Sequence, residues 1–271
     1  MDLKTFVINL DKHIGNYNKQ KIFLQAVGLD PVRFSAINAI ENEHLKHTEH
    51  IHKMALILTP KSTIGCGLSH SLLIKLLSTM KDDPYFLIME DDAFPIYEKE
   101  EFQLRLFNTI KNISILDKDW DIIQLHSDAI FPCHETYVTH YFSGSTAAYL
   151  ISKKGIKKMI TKKVKYHTDL ETSMDITIRK YRARENLFWT DETSSLQRVN
   201  TTGIFFDAKV TFLSSLMSLR GEKTWNDLLN FKMMRIPGSD RELIFDETIN
   251  YIMGAFIIYK SVHIVNNKLL K

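Results

Sequence analysis

Three adjacent carboxylates follow one of the most hydrophobic short runs of the chain. The run covers residues 85–89 and leads without a break into Glu90, Asp91 and Asp92. A hydrophobic run of this length predicts a buried strand. Because neighbouring carboxylates repel one another and are costly to bury, we expect them at the end of that strand, in an open cleft and held by a cation. The pattern is typical of a metal-assisted nucleotide site.

Glu90 and Asp92 have the chemistry that Mg²⁺ or Mn²⁺ requires. These ions prefer oxygen ligands and typically take one or two protein carboxylates, keeping their other positions for water and phosphate. A departing nucleoside diphosphate needs such an ion to absorb its developing charge. Residues two apart on a strand share a face, so Glu90 and Asp92 would point one way and Asp91 the other. The alternative is an acidic turn whose Asp side chains cap the backbone after a core strand.

Strands and helices alternate around the triplet. The pattern predicts a strand at 6–10, a helix that ends near Ala26, and a strand at 32–39. Apolar residues from Ile64 to Leu77 recur at helical spacing, so a helix precedes the acidic strand. Later predicted elements are a helix at 98–116, strands at 120–126, 137–142 and 146–151, and a helix at 153–161. This order predicts an α/β fold with a mostly parallel central sheet.

The pattern changes beyond about Asp207. Helical stretches there are broken by Gly221 and by Pro237-Gly238. We therefore expect one α/β domain at residues 1–206 and a mainly helical appendage at 207–271. The total of 271 residues, of which 44% are hydrophobic, is sufficient for a large core.

The charge balance and the cysteine content limit the partners and the cellular compartment that we expect. The 35 basic and 32 acidic side chains are mixed along the chain, so no basic stripe indicates a nucleic-acid partner. Two cysteines provide no disulfide framework, and the charged N-terminus does not resemble a signal peptide. The apolar stretch 251–259 is too short to cross a bilayer and suits a core or interfacial segment. We expect a cytoplasmic protein, with peripheral membrane contact as an option.

Several segments in order resemble glycosyltransferase family 25, the group of lipo-oligosaccharide and collagen galactosyltransferases. The resemblance covers most of residues 4–170. Its segments are 6–11, 33–39, 64–70 with a Gly-Cys-Gly-Leu-Ser-His sequence, the 90–92 triplet, and 120–122 followed by 144–152. The resemblance implies a GT-A-type sandwich that binds a UDP-sugar with Mn²⁺ or Mg²⁺. It also implies inverting transfer of a hexose, galactose by first preference, to a glycan, glycolipid or glycoprotein acceptor.

The resemblance also implies roles for individual residues. Glu90 and Asp92 would hold the metal ion, and Asp91 would contact the nucleotide. Further candidates are Asn9, Leu10, Ser69 and His70 for the nucleotide, and Gly144, Ser145 and Thr146 for the acceptor. Ser69 and His70 can equally be packing residues of a helix whose small residues allow close approach. The Gly144 segment can equally be a simple turn between strands.

Inverting transfer needs a carboxylate that removes the proton of the attacking acceptor hydroxyl. Asp169 occupies the place where similar proteins carry an Asp, so it is the candidate base, with Asp92 supporting catalysis at the donor. Asp169 can instead be the N-cap of a helix that begins near Leu170. Asp175 and Asp128 are the other candidates for the base.

Three further patterns allow a second interpretation. Cys66 and His70 lie four residues apart on a predicted helix. They can act as a nucleophile and its base, or they can be packed residues of that helix. The histidine-rich segment 43–52 suits a solvated loop or lid, or a zinc site. The lysine pairs of 153–163 suit a solvated helix face, or contact with an anionic glycolipid membrane.

The loop at residues 12–18, where the family usually has basic residues, reads Lys-His-Ile-Gly-Asn-Tyr-Asn here and departs from the family pattern. Two other functions stay open. One is a metal-dependent nucleotidyl- or phosphotransferase, which would need a second carboxylate on a neighbouring strand, with Asp121 as a candidate. The other is a catalytically inactive module that binds a nucleotide or glycan.

Overall fold

The computed structural model describes residues 3–81, 83–127, 145–165 and 177–191, the single residues Thr168, Thr172 and Asp175, and the backbone of two strands at 232–235 and 242–244. The chain forms two compact units, Met1–Leu56 with Lys61–Ser195 and Ile57–Pro60 with Leu196–Lys271. Several predictions lie outside the described residues. They concern the domain boundary near 206, the strand at 137–142, the stretch 251–259, and the residues Asp128, Gly144 and Asp169.

The first unit alternates strands and helices, as the sequence predicts. Its elements up to the triplet are β1 (Thr5–Asn9), α1 (Ile14–Ala26), β2 (Pro31–Ser35), α2 (Lys53–Leu58), α3 (Lys61–Leu77) and β3 (Tyr85–Glu90). Those after it are β4 (Ala93–Pro95), α4 (Lys99–Leu116), β5 (Ile122–Gln124), β6 (Ala148–Ser152), α5 (Lys153–Met159), β7 (Lys180–Arg182) and β8 (Phe188–Thr190). Short 3-10 helices at Asp11–His13, Ala39–Glu41 and Glu43–His50 connect them.

A six-stranded sheet with the order β2-β1-β3-β6-β5-β7 organises the unit. The pairs β1–β2, β1–β3 and β5–β7 are parallel, whereas β6 runs antiparallel to both β3 and β5. The predicted α/β fold with a mostly parallel sheet is therefore confirmed. Strands β4 and β8 form a separate antiparallel pair beside it.

Strand β3 lies in the middle of the core and is buried on both faces. Leu87 and Met89 pack in one hydrophobic cluster with α1 and α4. Phe86 and Ile88 pack in a second cluster with α3 and α5. A strand covered on both faces has a continuous rather than alternating hydrophobic sequence, which explains the run before the triplet. Each such side chain contributes about 1.5–3 kcal/mol on burial.

Strand β2 is shorter than the sequence predicts, because the chain leaves the sheet after Ser35 to meet α3. The backbone N–H of Ile37 donates a hydrogen bond of 2.8 Å to Oγ of Ser69. A Cβ at Gly65 would lie 2.7 Å from the carbonyl oxygen of Ile37, so only glycine permits this approach. The small residues of the 64–70 segment thus bring α3 against the chain that follows β2.

The second unit contains β9 (Lys232–Arg235) and β10 (Glu242–Ile244), which pair antiparallel. The helical character predicted for the remainder of 207–271 lies outside the described residues and stays a prediction. Among the helices that the structure describes, none has the length and apolar character needed to cross a membrane.

Candidate active site

The carboxyl ends of β1 and β3 meet at one edge of the sheet and carry the acidic triplet. Ile8 is the register partner of Glu90, so Asn9 and Asp91 follow at the same level. Strand β3 ends at Glu90, and Asp91 and Asp92 form a turn before β4 begins at Ala93. The strand alternation that predicts a shared face for Glu90 and Asp92 therefore stops at Glu90.

Glu90 is held by side chains from two other elements. Its Oε1 accepts a hydrogen bond of 2.5 Å from Oγ1 of Thr146 and lies 3.4 Å from Nε2 of His70 and 3.9 Å from Sγ of Cys66. Burial raises the pKa of this carboxyl, but the hydrogen bond and charge of His70 and the hydrogen bond of Thr146 outweigh it, so the pKa lies below its ordinary value. Glu90 is therefore an ionised carboxylate with a fixed position.

Asp91 is tied to the first strand. Its Oδ2 accepts a hydrogen bond of 2.6 Å from Nδ2 of Asn9, and Nε of Arg33 donates to Oδ1 of Asn9 at 2.7 Å. Arg33 also lies 2.5 Å from the carboxylate of Asp11. Burial and the charge of Glu90 raise the pKa of Asp91, although the Asn9 hydrogen bond opposes them.

Asp92 differs from its neighbours because its Oδ1 is buried and has no hydrogen-bond partner among the described residues. Burial, then the charges of Glu90 and Asp91, raise its pKa to about 8. A buried carboxylate without a partner is costly to ionise. A divalent cation beside Asp92 would remove that cost, so the donor set of the triplet fits an oxygen-binding ion such as Mg²⁺ or Mn²⁺.

The two α3 residues proposed as nucleotide contacts have different surroundings. Ser69 is fully buried, and its hydroxyl donates to the carbonyl of Gly65 at 2.6 Å besides accepting from Ile37. This arrangement favours the packing alternative for Ser69. His70 is also buried, but its Nδ1 lies 2.9 Å from the hydroxyl of Tyr149 while Nε2 faces Glu90. His70 therefore reaches the triplet.

Of the residues proposed for the acceptor, the structure describes Ser145 and Thr146. Ser145 has a φ of 110°, a conformation that is strained for a residue with a Cβ. The side-chain amide of Gln124 donates to its carbonyl at 2.8 Å, and its own Oγ accepts from the N–H of Ala147 at 3.1 Å. Together with the Thr146 contact to Glu90, these bonds place the start of β6 beside the triplet.

Leu10, another residue proposed as a nucleotide contact, lies just beyond β1, where its carbonyl accepts a hydrogen bond from the N–H of His13.

Several neighbours of the triplet were not singled out from the sequence. Gln20 on α1 donates to the carbonyls of Glu90 and Ala93, both at 2.6 Å, and so holds the turn from both sides. His126 is buried just after β5, and its charge lowers the pKa of Glu90. The position of His126 at the end of a predicted strand was the available signal. Nothing in the local pattern marks Gln20 or Tyr149.

The other candidate carboxylates that the structure describes lie away from the triplet or already have partners. Asp175 caps the following turn through the N–H of Thr177 at 2.9 Å and pairs with Lys162. Asp121 precedes β5, at the opposite edge of the sheet from Glu90, and pairs with Lys158 at 2.5 Å. Asp121 therefore does not supply the second carboxylate that a nucleotidyltransferase would need.

The structure also shows the surroundings of the histidine-rich and lysine-rich segments. Residues 43–50 form a 3-10 helix with His44 buried, and none of these histidines belongs to a three-residue metal-ligating group within the described chain. In the lysine-rich segment, Lys154 pairs with Asp119, Lys158 with Asp121 and Lys162 with Asp175. Much of the basic face therefore neutralises acidic residues of the same unit.

Comparison of the sequence with protein families identifies the family of this chain. Residues 2–177 match the family model described as "Glycosyltransferase family 25 (LPS biosynthesis protein)". The match covers more than half of the chain, so the chain belongs to glycosyltransferase family 25 and is a glycosyltransferase. The resemblance inferred from the ordered segments is thereby confirmed. Among curated proteins, no sequence matches the chain.

Two solved structures are similar at low identity. The first is a glycosyltransferase involved in the glycosylation of the major capsid of PBCV-1, with 10% identity, coverage of 71% of this chain and 94% of that chain, and a TM-score of 0.38. The second is A197 from STIV, with 10% identity, coverage of 74% and 100%, and a TM-score of 0.36.

Proposed function

We propose that this glycosyltransferase is metal-dependent and inverting, and that it moves a hexose, galactose by first preference, from a UDP-sugar to a hydroxyl of a glycan, glycolipid or glycoprotein. The observation that carries the metal dependence is Oδ1 of Asp92, which is buried beside the charges of Glu90 and Asp91 and has no hydrogen-bond partner among the described residues. A cation is the partner that this group lacks among the described residues. The uridine, the galactose and the inversion rest on the family resemblance.

In this proposal, the triplet holds the donor through three differently supported carboxylates. Glu90 and Asp92 are the ligands of a Mn²⁺ or Mg²⁺ ion, which supplies positive charge to the departing diphosphate. Thr146 and His70 fix the Glu90 carboxylate. Asn9 fixes Asp91 and is itself oriented by Arg33, so Asn9 acts through Asp91. Because these contacts are already in place, the site does not have to reorganise when charge develops at the donor.

The proposed acceptor side is the segment just before β6. Thr146 contacts Glu90 there, and Ser145 and Thr146 can present backbone and hydroxyl groups to an acceptor sugar. Asp169 stays the proposed base, with Asp128 as an alternative, and both lie outside the described residues. Asp175 is the weaker alternative because it already caps a turn. A cytoplasmic location and peripheral membrane contact stay predictions from the sequence.

A donor screen tests the proposal. Thermal unfolding is measured with each common UDP-hexose, with and without Mn²⁺, because a ligand that binds only the folded state raises its apparent stability. We expect the largest rise in Tm with UDP-galactose and Mn²⁺ together, and release of UDP when an acceptor glycan is added. Release of pyrophosphate would support a nucleotidyltransferase instead, and binding without turnover would support an inactive module.

Asp92→Asn and Asp119→Asn form the matched pair for this screen. Asp119 precedes β5 and pairs with Lys154, at the edge of the sheet opposite the triplet. We expect Asp92→Asn to abolish the Mn²⁺-dependent rise in Tm and to lower transfer at least about a hundredfold. Asp119→Asn should retain both. Unchanged Mn²⁺-dependent binding in Asp92→Asn would disprove the metal assignment.

A further inference from the structure

Three side chains with different metal-binding atoms converge beside the triplet. Cys66 and His70 lie four residues apart on α3 and therefore on one face of that helix. Glu90 reaches them from the end of β3. Sγ of Cys66, a ring nitrogen of His70 and a carboxylate oxygen of Glu90 all lie within 4.8 Å of one another, and this is the one such group of three or more within the described residues.

The spacing of these atoms is close to that around a bound metal ion. Oε1 of Glu90 lies 3.4 Å from Nε2 of His70 and 3.9 Å from Sγ of Cys66. Ligand atoms of a tetrahedral zinc site are separated by roughly 3.3–3.6 Å, as follows from zinc-to-ligand distances of about 2.0–2.3 Å. The two separations from Glu90 are thus at or within about 0.6 Å of those around a bound ion, and side-chain rotation would have to close the remainder. The fourth position stays open for water.

The second nitrogen of His70 is already supported. Nδ1 lies 2.9 Å from the hydroxyl of Tyr149, which can donate or accept a hydrogen bond. In the neutral tautomer with its proton on Nε2, Tyr149 donates to Nδ1 and Nε2–H faces Glu90. With an ion at Nε2, the proton resides on Nδ1 and is donated to Tyr149. Metal-binding histidines usually have such a partner at the other nitrogen, which fixes the tautomer and the orientation of the ring.

The types of ligand decide which ion fits. A thiolate and an imidazole suit Zn²⁺, whereas Mn²⁺ and Mg²⁺ prefer oxygen. One thiolate and one carboxylate also balance the charge of Zn²⁺ in a half-buried place, and the ion displaces the thiol proton to solvent. We infer that Cys66, His70 and Glu90 form a Zn²⁺ site beside Asp92, and that this site shares Glu90 with the proposed oxygen-ligand site.

The site has one consequence for activity, and that consequence rests on the proposed function. If Glu90 is a ligand of the donor's ion, Zn²⁺ held at Oε1 withdraws it from that role and inhibits transfer. Binding of Zn²⁺ does not depend on the donor or on the reaction. Measurements of binding and of inhibition therefore distinguish failure of the zinc site from failure of the proposed function.

Co²⁺ is the spectroscopic probe for the site, because Zn²⁺ itself has no d–d absorption. We expect metal-free protein to bind one equivalent of Co²⁺ with a thiolate-to-cobalt charge-transfer band, and Zn²⁺ to remove that band by displacement. Cys66→Ser should lose the band and bind Zn²⁺ at least about tenfold more weakly. Cys133→Ser, the matched control, should keep both. Absence of the band in the wild-type protein, or its persistence in Cys66→Ser, would overturn the inference.

Alkylation provides a test that needs no variant to fold. The wild-type protein is treated with iodoacetamide with and without Zn²⁺, and the two cysteines are quantified separately by peptide mass spectrometry. We expect Zn²⁺ to slow alkylation of Cys66 at least about tenfold, because the metal-bound thiolate is shielded, and to leave Cys133 unchanged. Equal rates for Cys66 under the two conditions would refute a zinc site at this position.

Discussion

Nδ2 of Asn9 donates a hydrogen bond of 2.6 Å to Oδ2 of Asp91, which joins the ends of two neighbouring strands at the candidate active site. Nε of Arg33, on the outermost strand β2, orients the Asn9 amide from its other side at 2.7 Å. The position of Asp91 therefore depends on three parallel strands. Arg33 is a positioning residue that need not touch the donor.

We predict that Arg33→Gln weakens the use of the metal-bound donor without unfolding the protein. Loss of the guanidinium removes the donor to Oδ1 of Asn9 and leaves the amide held only through Nδ2, by Asp91 and the carbonyl of His13. A misplaced catalytic group typically costs about tenfold to a hundredfold in rate. The measurement is the Mn²⁺ concentration for half-maximal transfer, which should rise, together with kcat/KM, which should fall.

The control for this prediction is Arg105→Gln. Arg105 is a surface residue of α4 that pairs with Glu101 and Glu185. Such exposed pairs contribute little, about 0.2–1 kcal/mol. If Arg33→Gln changed Tm but left the Mn²⁺ dependence equal to that of the control, Arg33 would have a structural role only.

The pKa of Asp92 predicts how stability changes with pH in metal-free buffer. Its ordinary pKa of 3.8 applies to the unfolded chain, and the folded value is about 8. Between these values the folded state binds a proton that the unfolded state has released, so stability falls as pH rises through this window. The contribution is fully present below pH 3.8 and lost above about pH 8.

Asp92→Asn removes this dependence. We expect the variant to exceed the wild type in free energy of unfolding by a margin that grows from pH 5 to pH 8 and passes about 1.4 kcal/mol, the equivalent of one pKa unit. Chemical denaturation at several pH values measures the margin. Mn²⁺ should reduce it at pH 8 by stabilising the wild type alone. A margin independent of pH would contradict the raised pKa.

The part of the site that could be predicted from the sequence is the part set by a local pattern. The continuous run of β3 predicts a strand buried on both faces, and the residue after a parallel strand lies at the edge where ligands bind. The triplet and its position at the carboxyl edge follow from these facts. The alternation beyond Glu90 does not hold, because the chain turns back at Asp91 and Asp92 to enter β4.

The supporting contacts could not be predicted, because they join residues far apart in sequence. Gln20 holds the carbonyl of Glu90, 70 residues away, and Thr146 holds its carboxylate from 56 residues away. Tyr149 meets His70 across 79 residues. Such pairs depend on the order of the strands, and the antiparallel insertion of β6 between β3 and β5 has no local sequence signal.

We predict that Thr146→Val lowers transfer by about tenfold to a hundredfold, while Thr146→Ser retains most activity. Valine keeps the shape but removes the donor to Oε1 of Glu90, and hydrogen bonds to charged groups contribute about 1.5–3 kcal/mol. Serine restores the hydroxyl. Steady-state kinetics with varied Mn²⁺ measures the effect, and equal activity of the two variants would show that the hydroxyl of Thr146 does not support Glu90 in catalysis.

Gly65 and Gly15 provide a matched test of how closely α3 approaches the chain after β2. A Cβ at Gly65 would meet the carbonyl oxygen of Ile37 at 2.7 Å and the Cβ of Ala39 at 3.3 Å, whereas a Cβ at Gly15 meets nothing within 4 Å. Overpacking against backbone costs about 1–3 kcal/mol, whereas an unhindered helical Gly→Ala gains about 0.5–1 kcal/mol.

Gly65→Ala should therefore lower the free energy of unfolding, and Gly15→Ala should raise it. Because α3 also carries His70, displacement of the helix should reduce transfer in Gly65→Ala by more than the loss of folded protein explains. Urea denaturation and activity per folded molecule are the two measurements. Stability of Gly65→Ala equal to or above that of the wild type would mean that α3 can move away from Ile37 at no cost, and the close approach would then have no part in positioning His70 beside Glu90.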